Sequence, residues 1–185
     1  MLLQGKSIDL RQMNETDLQI VYFWRNSNDV SKFMISQNKI TIEEHILWFS
    51  KIKNNIENLY FIIVSKNQDK LGVINFNKIN QTENTAEPGL YIGDVDNRNT
   101  IYGLEAYYLL LSYGFKELKL KKIIGQVLST NKSAIKMNES FGFTFLNNNL
   151  NDNTKLILNL YLTENNFFKS PMFKFFNNNQ NKSNV

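Results

Sequence analysis

Cysteine is absent from this chain, and histidine occurs once. The first absence excludes a disulfide scaffold, a thiolate zinc site and a cysteine nucleophile. A single histidine excludes a histidine-rich centre, so no metal is expected. Proline is scarce too, two in 185 residues. No apolar run approaches the roughly 20 residues of a membrane-spanning helix; the longest, Tyr60 to Val64 and Tyr107 to Leu111, are far too short. Met1 to Lys6 shows no basic start followed by a long apolar stretch, so neither a signal peptide nor membrane insertion is expected, and the cytoplasm is the expected compartment. The net charge is only +4 and the isoelectric point about 9.1. Basic residues form no block with interleaved aromatics, so a nucleic-acid partner is not expected. A mild positive balance does suit ligands that carry phosphates.

What is present is a core. Hydrophobic residues make up 42% and aromatics 13% of the chain, which is about one domain long. Ser7–Gln12 alternates as a strand. Asn14 offers a cap to a helix with Glu15 and Asp17 in its first turn and Leu18, Val21, Tyr22 and Trp24 on its apolar face. Ser27-Asn28-Asp29 ends it, and a short helical piece reaches Met34. Thr41 with Glu44 forms a capping box that opens a helix bearing Ile46, Phe49 and Ile52. Leu59–Ser65 and Leu71–Phe76 read as a hairpin, Gly89–Gly93 as a short strand and Asp94–Asn99 as a loop. Gly103–Leu118 reads as a helix, Lys122–Leu128 as a strand and Asn131–Ser140 as a helix closed by Gly142. Phe143–Leu146 and Leu156–Leu162 then pair across an Asn-rich turn. This order predicts an α+β fold with one central, mixed but mostly antiparallel sheet flanked by helices.

Residues 1–164 are expected to form the domain, and 165–185 an Asn-, Phe- and Lys-rich tail, disordered from Asn177 onward. The pairs Phe167-Phe168 and Phe175-Phe176 either pack back on the domain or make a partner or homodimer contact.

Two segments of the second half carry chemistry. Arg98-Asn99-Thr100-Ile101-Tyr102-Gly103 lies between a strand and a helix. Free backbone N–H groups at a helix N-terminus favour an anion, and a glycine lets that backbone approach it closely. In Asn131-Lys132-Ser133-Ala134, an asparagine opens a helix that Phe141-Gly142-Phe143 ends. Each segment alone also reads as an ordinary capped helix.

Together, in this order and with a strand between them, they resemble the GNAT acyltransferase superfamily, over residues from about 7 to 162. Arg98 and Gly103 match the ends of its phosphate loop, with Ile101 where a first glycine is usual; Asn131, Ala134, Gly142 and Phe143 match its later motif. The resemblance implies acetyl-CoA as cosubstrate. The amides of Arg98 to Gly103 would cradle the pyrophosphate, Leu90-Tyr91-Ile92 would bond the pantetheine arm, and Asn131 and Ala134 would flank it.

Trp24-Arg25-Asn26, Phe33-Met34, Ile42 to His45, Trp48-Phe49 and Gly72 to Phe76 further resemble one subgroup, the amino-sugar N-acetyltransferases of pseudaminic acid biosynthesis. These acetylate the 4-amine of UDP-4-amino-4,6-dideoxy-N-acetyl-β-L-altrosamine. A nucleotide-sugar substrate is thus implied, with Arg25, Asn26, Met34, His45, Trp48 and Asn75 as its binding residues. Arg25 suits a bidentate bond to phosphate or carboxylate and equally a salt bridge. His45 suits a titrating role or a structural one, and Trp48 and Phe49 suit a sugar stack or the core.

Attack on the thioester needs a neutral amine, an oxyanion donor from the Leu90–Ile92 backbone, and help for the departing thiolate. Many relatives place a tyrosine seven residues after the motif asparagine; here that position is Asn138, which can hydrogen-bond sulfur but cannot protonate it. Gln126 stands where several subgroup members carry a glutamate, and Glu87 is the remaining carboxylate near the glycine-bounded strand. Two alternatives stay open: a ribosomal-type protein N-terminal acetyltransferase, and a catalytically weak acyl-CoA-binding module.

Overall fold

A computed structural model of the protein describes residues 1–146 and 156–181. Its centre is an eight-stranded sheet in the order β1-β2-β3-β4-β5-β6-β8-β7. The strands are β1 (Leu2–Gln4), β2 (Ile8–Gln12), β3 (Leu59–Ser65), β4 (Lys70–Asn80), β5 (Thr85–Ile92), β6 (Lys122–Leu128), β7 (Thr144–Phe145) and β8 (Ile157–Thr163). The helices are α1 (Leu18–Asn26), α2 (Asn28–Ser31), α3 (Ile42–Ile52), α4 (Ile101–Lys116), α5 (Lys132–Ser140), α6 (Glu164–Lys169) and α7 (Pro171–Asn181). All neighbouring strands are antiparallel except β5 and β6. A parallel pair needs a crossover, and α4 supplies it.

The two-residue period of the strands divides the core. Phe61, Ile63 and Ile74 face α4, whose Ala106 to Leu111 are buried. Ile62, Val64 and Val73 face α1 and α3 and meet Val21, Trp24 and Phe49. The Thr41–Glu44 capping box forms as expected, with Glu44 N–H on the Thr41 hydroxyl at 3.2 Å and Thr41 N–H on the Glu44 carboxylate at 2.7 Å. Asn14 caps a 3₁₀ turn, Glu15–Asp17, that leads into α1. Asp17 is fully buried and accepts from both guanidinium arms of Arg11, at 3.0 and 2.8 Å, with Lys70 2.8 Å away. Burial pushes its carboxyl up, but hydrogen bonds from Arg11, Lys70 and the Asn14 N–H outweigh this and hold it below the usual range.

Several elements differ from the sequence reading. The three-residue β1 has no alternation of its own; it exists because it pairs with β2, Leu2 opposite Arg11. Glu105, inside the apolar α4, reaches the turn between these strands and accepts the N–H groups of Lys6 and Ser7. β5 begins at Thr85 rather than Gly89, and α4 at Ile101 rather than Gly103, with Thr100 as its cap. Ile46 sits on the exposed side of α3, where His45 and Phe49 are the buried pair. The tail is helical through Asn181, including the stretch from Asn177 for which composition predicts disorder. Phe167 and Phe176 pack back on the domain, 5.4 Å from the Phe115 ring and 5.0 Å from the Tyr108 ring, while Phe175 stays exposed. The Asn-rich turn between β7 and β8 lies outside the described residues. Among those described, no helix is long and apolar enough to cross a membrane.

Candidate active site

Parallel pairing between β5 and β6 covers two positions only, Thr85 opposite Lys122 and Ala86 opposite Ile123. Beyond them β5 keeps β4 and β6 keeps β8, but the two strands part and each presents an open backbone edge. Pro88 follows at once. Proline cannot donate to a ladder and belongs at strand edges, so its place fits the parting. A cavity of 540 Å³ fills the opening. Pro88 to Tyr91 form one wall and Gly125 to Leu128 the other. Asn131, Ala134, Met137 and Asn138 of α5 close one side, and Val21, Arg25, His45 and Trp48 of α1 and α3 the opposite side.

The sequence-derived substrate residues converge here with one exception. Arg25, Met34, His45, Trp48 and Asn75 line the cavity. Asn26 does not. Its amide brackets Ile40 instead, donating to the carbonyl at 3.0 Å and accepting from the N–H at 2.9 Å. With Arg25 Nη2 donating to the Ser36 carbonyl at 2.7 Å, it pins the 33–40 segment that supplies Phe33, Met34, Ile35 and Ile40 to the wall. Trp24 fixes α1 in turn: it is buried against Gly93, where any Cβ would fall inside the indole ring.

Two donors at the cavity have no protein partner. Arg25 Nη1 is buried and unbonded. So is Nδ2 of Asn75, a residue only 7% exposed. Asn75 faces Gly89 across β4 and β5, and a Cβ at 89 would lie 2.7 Å from its Oδ1, so glycine there makes room for the amide. A buried donor without a partner costs about 1–3 kcal/mol, which marks a place kept for a ligand acceptor.

The other polar groups are satisfied. His45, 2% exposed, meets the Leu18 carbonyl through Nε2 at 3.0 Å and stacks on Trp48 with centroids 5.1 Å apart. Burial lowers its pKa, and the Leu18 bond opposes this only in part, so the ring is neutral near pH 7. Tyr60 donates to Asn77 Oδ1 at 2.6 Å, and burial raises its pKa. Burial also raises Tyr91, although the nearby Arg25 charge opposes it. Glu44, the sole carboxylate among the lining residues, is engaged in its capping box.

The expected catalytic residues separate. Asn138 lines the cavity, its Nδ2 on the Ala134 carbonyl at 2.8 Å and its Oδ1 accepting from Tyr107 at 2.9 Å. Gln126 lines it too, donating to Asn159 at 2.9 Å. Glu87 does not reach it. That carboxylate is half-exposed and pairs with Lys78 at 2.9 Å, opposite Asn77 and one residue before Pro88 of the wall. Tyr60 and Tyr107 were missed by sequence reading, because both sit inside apolar elements and look like core.

Of the expected cofactor residues, Leu90, Tyr91, Asn131 and Ala134 line the cavity. Ile92 continues β5 beyond the lining residues and accepts from Arg98 Nε at 3.1 Å. The guanidinium of Arg98 also meets Gly93 O at 3.3 Å and Asp29 at 3.1 Å, so it braces the loop rather than extending from it. Asn99 takes a left-handed φ of 60°. Thr100 caps α4 through the Tyr102 N–H at 3.3 Å. Ile101 and Gly103 complete the first turn; a Cβ at 103 would only touch Ile92 at 3.7 Å, so the protein itself does not demand glycine. The bare turn leaves room for a close ligand.

The chain is similar to several known proteins. Acetyltransferase PseH of Campylobacter jejuni (strain 81-176) is 27% identical over 135 residues, covering 72% of this chain and 80% of that protein. The spermidine N-acetyltransferase of Vibrio cholerae, solved in complex with CoA and spermine, superposes with a TM-score of 0.80 at 17% identity, over 88% of this chain and 99% of that one. A domain from Methanocaldococcus jannaschii superposes with a TM-score of 0.72 at 24% identity, over 86% and 99% of the two chains. These two likenesses speak for the fold. Residues 7–144 match the acetyltransferase (GNAT) domain, and the chain is a member of that family of acyltransferases.

Proposed function

We propose that the protein transfers the acetyl group of acetyl-CoA to the 4-amine of a nucleotide-linked amino-deoxy sugar of the UDP-4-amino-4,6-dideoxy-N-acetyl-altrosamine type. The observation that carries this reading is the pair of unpartnered donors, Arg25 Nη1 and Asn75 Nδ2, in a cavity walled by Trp48 and Tyr60. Guanidinium and amide donors suit phosphate and sugar oxygens, and aromatic faces suit a sugar or base. A polyamine would need carboxylates, and the one at the cavity is committed to capping α3. The PseH relative points the same way.

On this reading the open edge of β5 at Leu90–Ile92 bonds the pantetheine arm. The Arg98–Gly103 turn holds the pyrophosphate at the α4 N-terminus, and Asn131 and Ala134 flank the arm from α5. The amine loses its proton to solvent, since no uncommitted carboxylate is among the described residues of the wall. The nitrogen lone pair then attacks the thioester carbonyl, and β5 N–H groups hold the oxyanion.

The test is release of free thiol from acetyl-CoA with a panel of amines: UDP- and dTDP-linked 4-amino-4,6-dideoxy sugars, spermidine and N-terminal peptides. Release with a nucleotide sugar alone is expected. Release with peptides or spermidine alone would overturn the substrate assignment. CoA binding with no release on any amine would make the protein a binding module.

A further inference from the structure

Asn75 has a companion on the cavity side of β4. Side chains alternate along Val73-Ile74-Asn75-Phe76-Asn77. Ile74 and Phe76 enter the core against α4, while Val73, Asn75 and Asn77 line the cavity. Two amides thus stand two residues apart on one strand, about 7 Å along it. Tyr60 pairs with Asn75 across β3 and β4 and reaches diagonally to Asn77, donating to its Oδ1 at 2.6 Å. Trp48 holds that phenol ring edge-on, with centroids 5.2 Å apart.

The bond sets which way the Asn77 amide is turned. Its oxygen is taken by the phenol, and its Nδ2 has no protein acceptor among the described residues. Tyr91, opposite Val73, feels the Arg25 charge. The donors Arg25 Nη1, Asn75 Nδ2 and Asn77 Nδ2 therefore follow one another along β4, and no uncommitted carboxylate stands among the described residues beside them.

We infer that Asn77 is a specificity-determining residue of the acceptor site, with Tyr60 as the residue that positions it. The two β4 amides bind two oxygen acceptors of the sugar and reject ligands that bring only donors. This rests on the nucleotide-sugar reading above. With a phosphate on Arg25, Asn75 meets the near edge of the sugar ring and Asn77 the far edge. Hydroxyl groups and an acetamido carbonyl both accept hydrogen bonds. A polyamine offers N–H donors alone, and a donor set against a donor leaves both unpaired.

The experiment measures KM for a UDP-linked 4-amino-4,6-dideoxy sugar in the wild type, Asn77→Asp, Tyr60→Phe and the double variant. Calorimetric titration with CoA confirms that each is folded. Asn77→Asp keeps an acceptor for Tyr60 but replaces the free donor by a second acceptor. Its KM for the sugar rises about 10- to 100-fold, CoA affinity stays within about twofold, and spermidine, added as a competitor, inhibits about 10-fold better. Tyr60→Phe alone raises KM about fivefold. In the double variant it adds nothing, because a carboxylate presents an acceptor whichever way it turns. A KM for Asn77→Asp close to that of the wild type, additive losses in the double variant, or unchanged inhibition by spermidine overturns the inference. Should Asn77→Asp not fold, wild-type KM values for sugars lacking one hydroxyl or the acetamido group decide. Losses from two such groups support two amide contacts, and losses from fewer overturn them. A wild type that acetylates no nucleotide sugar would instead overturn the substrate reading itself, and this inference with it.

Discussion

Trp24 lies flat against Gly93, joining the end of α1 to the end of β5. This contact aims Arg25, the next residue, over the cavity. Gly93→Ala would drive a methyl into the indole. Overpacking of this kind costs about 1–3 kcal/mol, and relief requires α1 to move. The expected outcome is a lower denaturation midpoint together with a raised KM for the amine substrate, while CoA affinity holds. Unchanged stability would mean that the helix has slack.

Arg25→Ala should separate the two substrates. Loss of a charge-assisted bond of about 1.5–3 kcal/mol raises KM for a nucleotide-linked amine by about 10- to 100-fold. Calorimetric titration with CoA should show no comparable change. Arg25→Lys keeps the charge but loses the fork, and should recover only part of the loss.

Asn75→Leu trades function for stability. Its Nδ2 is buried without a partner, and an apolar side chain of similar shape removes that penalty. Unfolding free energy should stay level or rise by about 1 kcal/mol, while acceptor binding is lost. A clear drop in stability would show that Asn75 has a structural partner.

His45 sets a pH limit. Burial holds its pKa below the ordinary value of 6.5. Below that value the unfolded chain binds a proton that the folded chain refuses. Stability therefore rises with pH through this window and falls as pH drops below it. His45→Gln, which keeps a donor for the Leu18 carbonyl, should flatten the curve of urea midpoint against pH between pH 5 and 7. An unaltered slope would assign the acid sensitivity elsewhere.

Glu87→Gln should leave turnover within about twofold, as for a surface substitution outside the site. A large drop in kcat would return this carboxylate to the chemistry despite its pairing with Lys78.

Capping boxes, strand alternation and the two motifs of the second half made most of the fold legible, because their causes are local. Thr41 and Glu44 need only each other to start α3. What sequence could not show are relations made by register. Asn75 meets Gly89, and Tyr107 meets Asn138, only because particular strands and helices are neighbours. In the one-dimensional pattern Tyr107 is another aromatic in an apolar helix, and Asn26 looks as suited to a ligand as Arg25. Glu87 stands close to Gly89 in the sequence, but in the fold its carboxylate is taken by Lys78. The Asn-rich composition of α7 hid the apolar face that Phe176 gives it.

The brief handshake of β5 and β6 has a consequence for the life of the protein. Two residue pairs are all that stitch one half of the sheet to the other. A pantetheine chain, with amides strung along it, fits such a seam as a supplementary strand would. On the proposed reading, binding would mend the sheet, and stability would grow with the logarithm of ligand concentration.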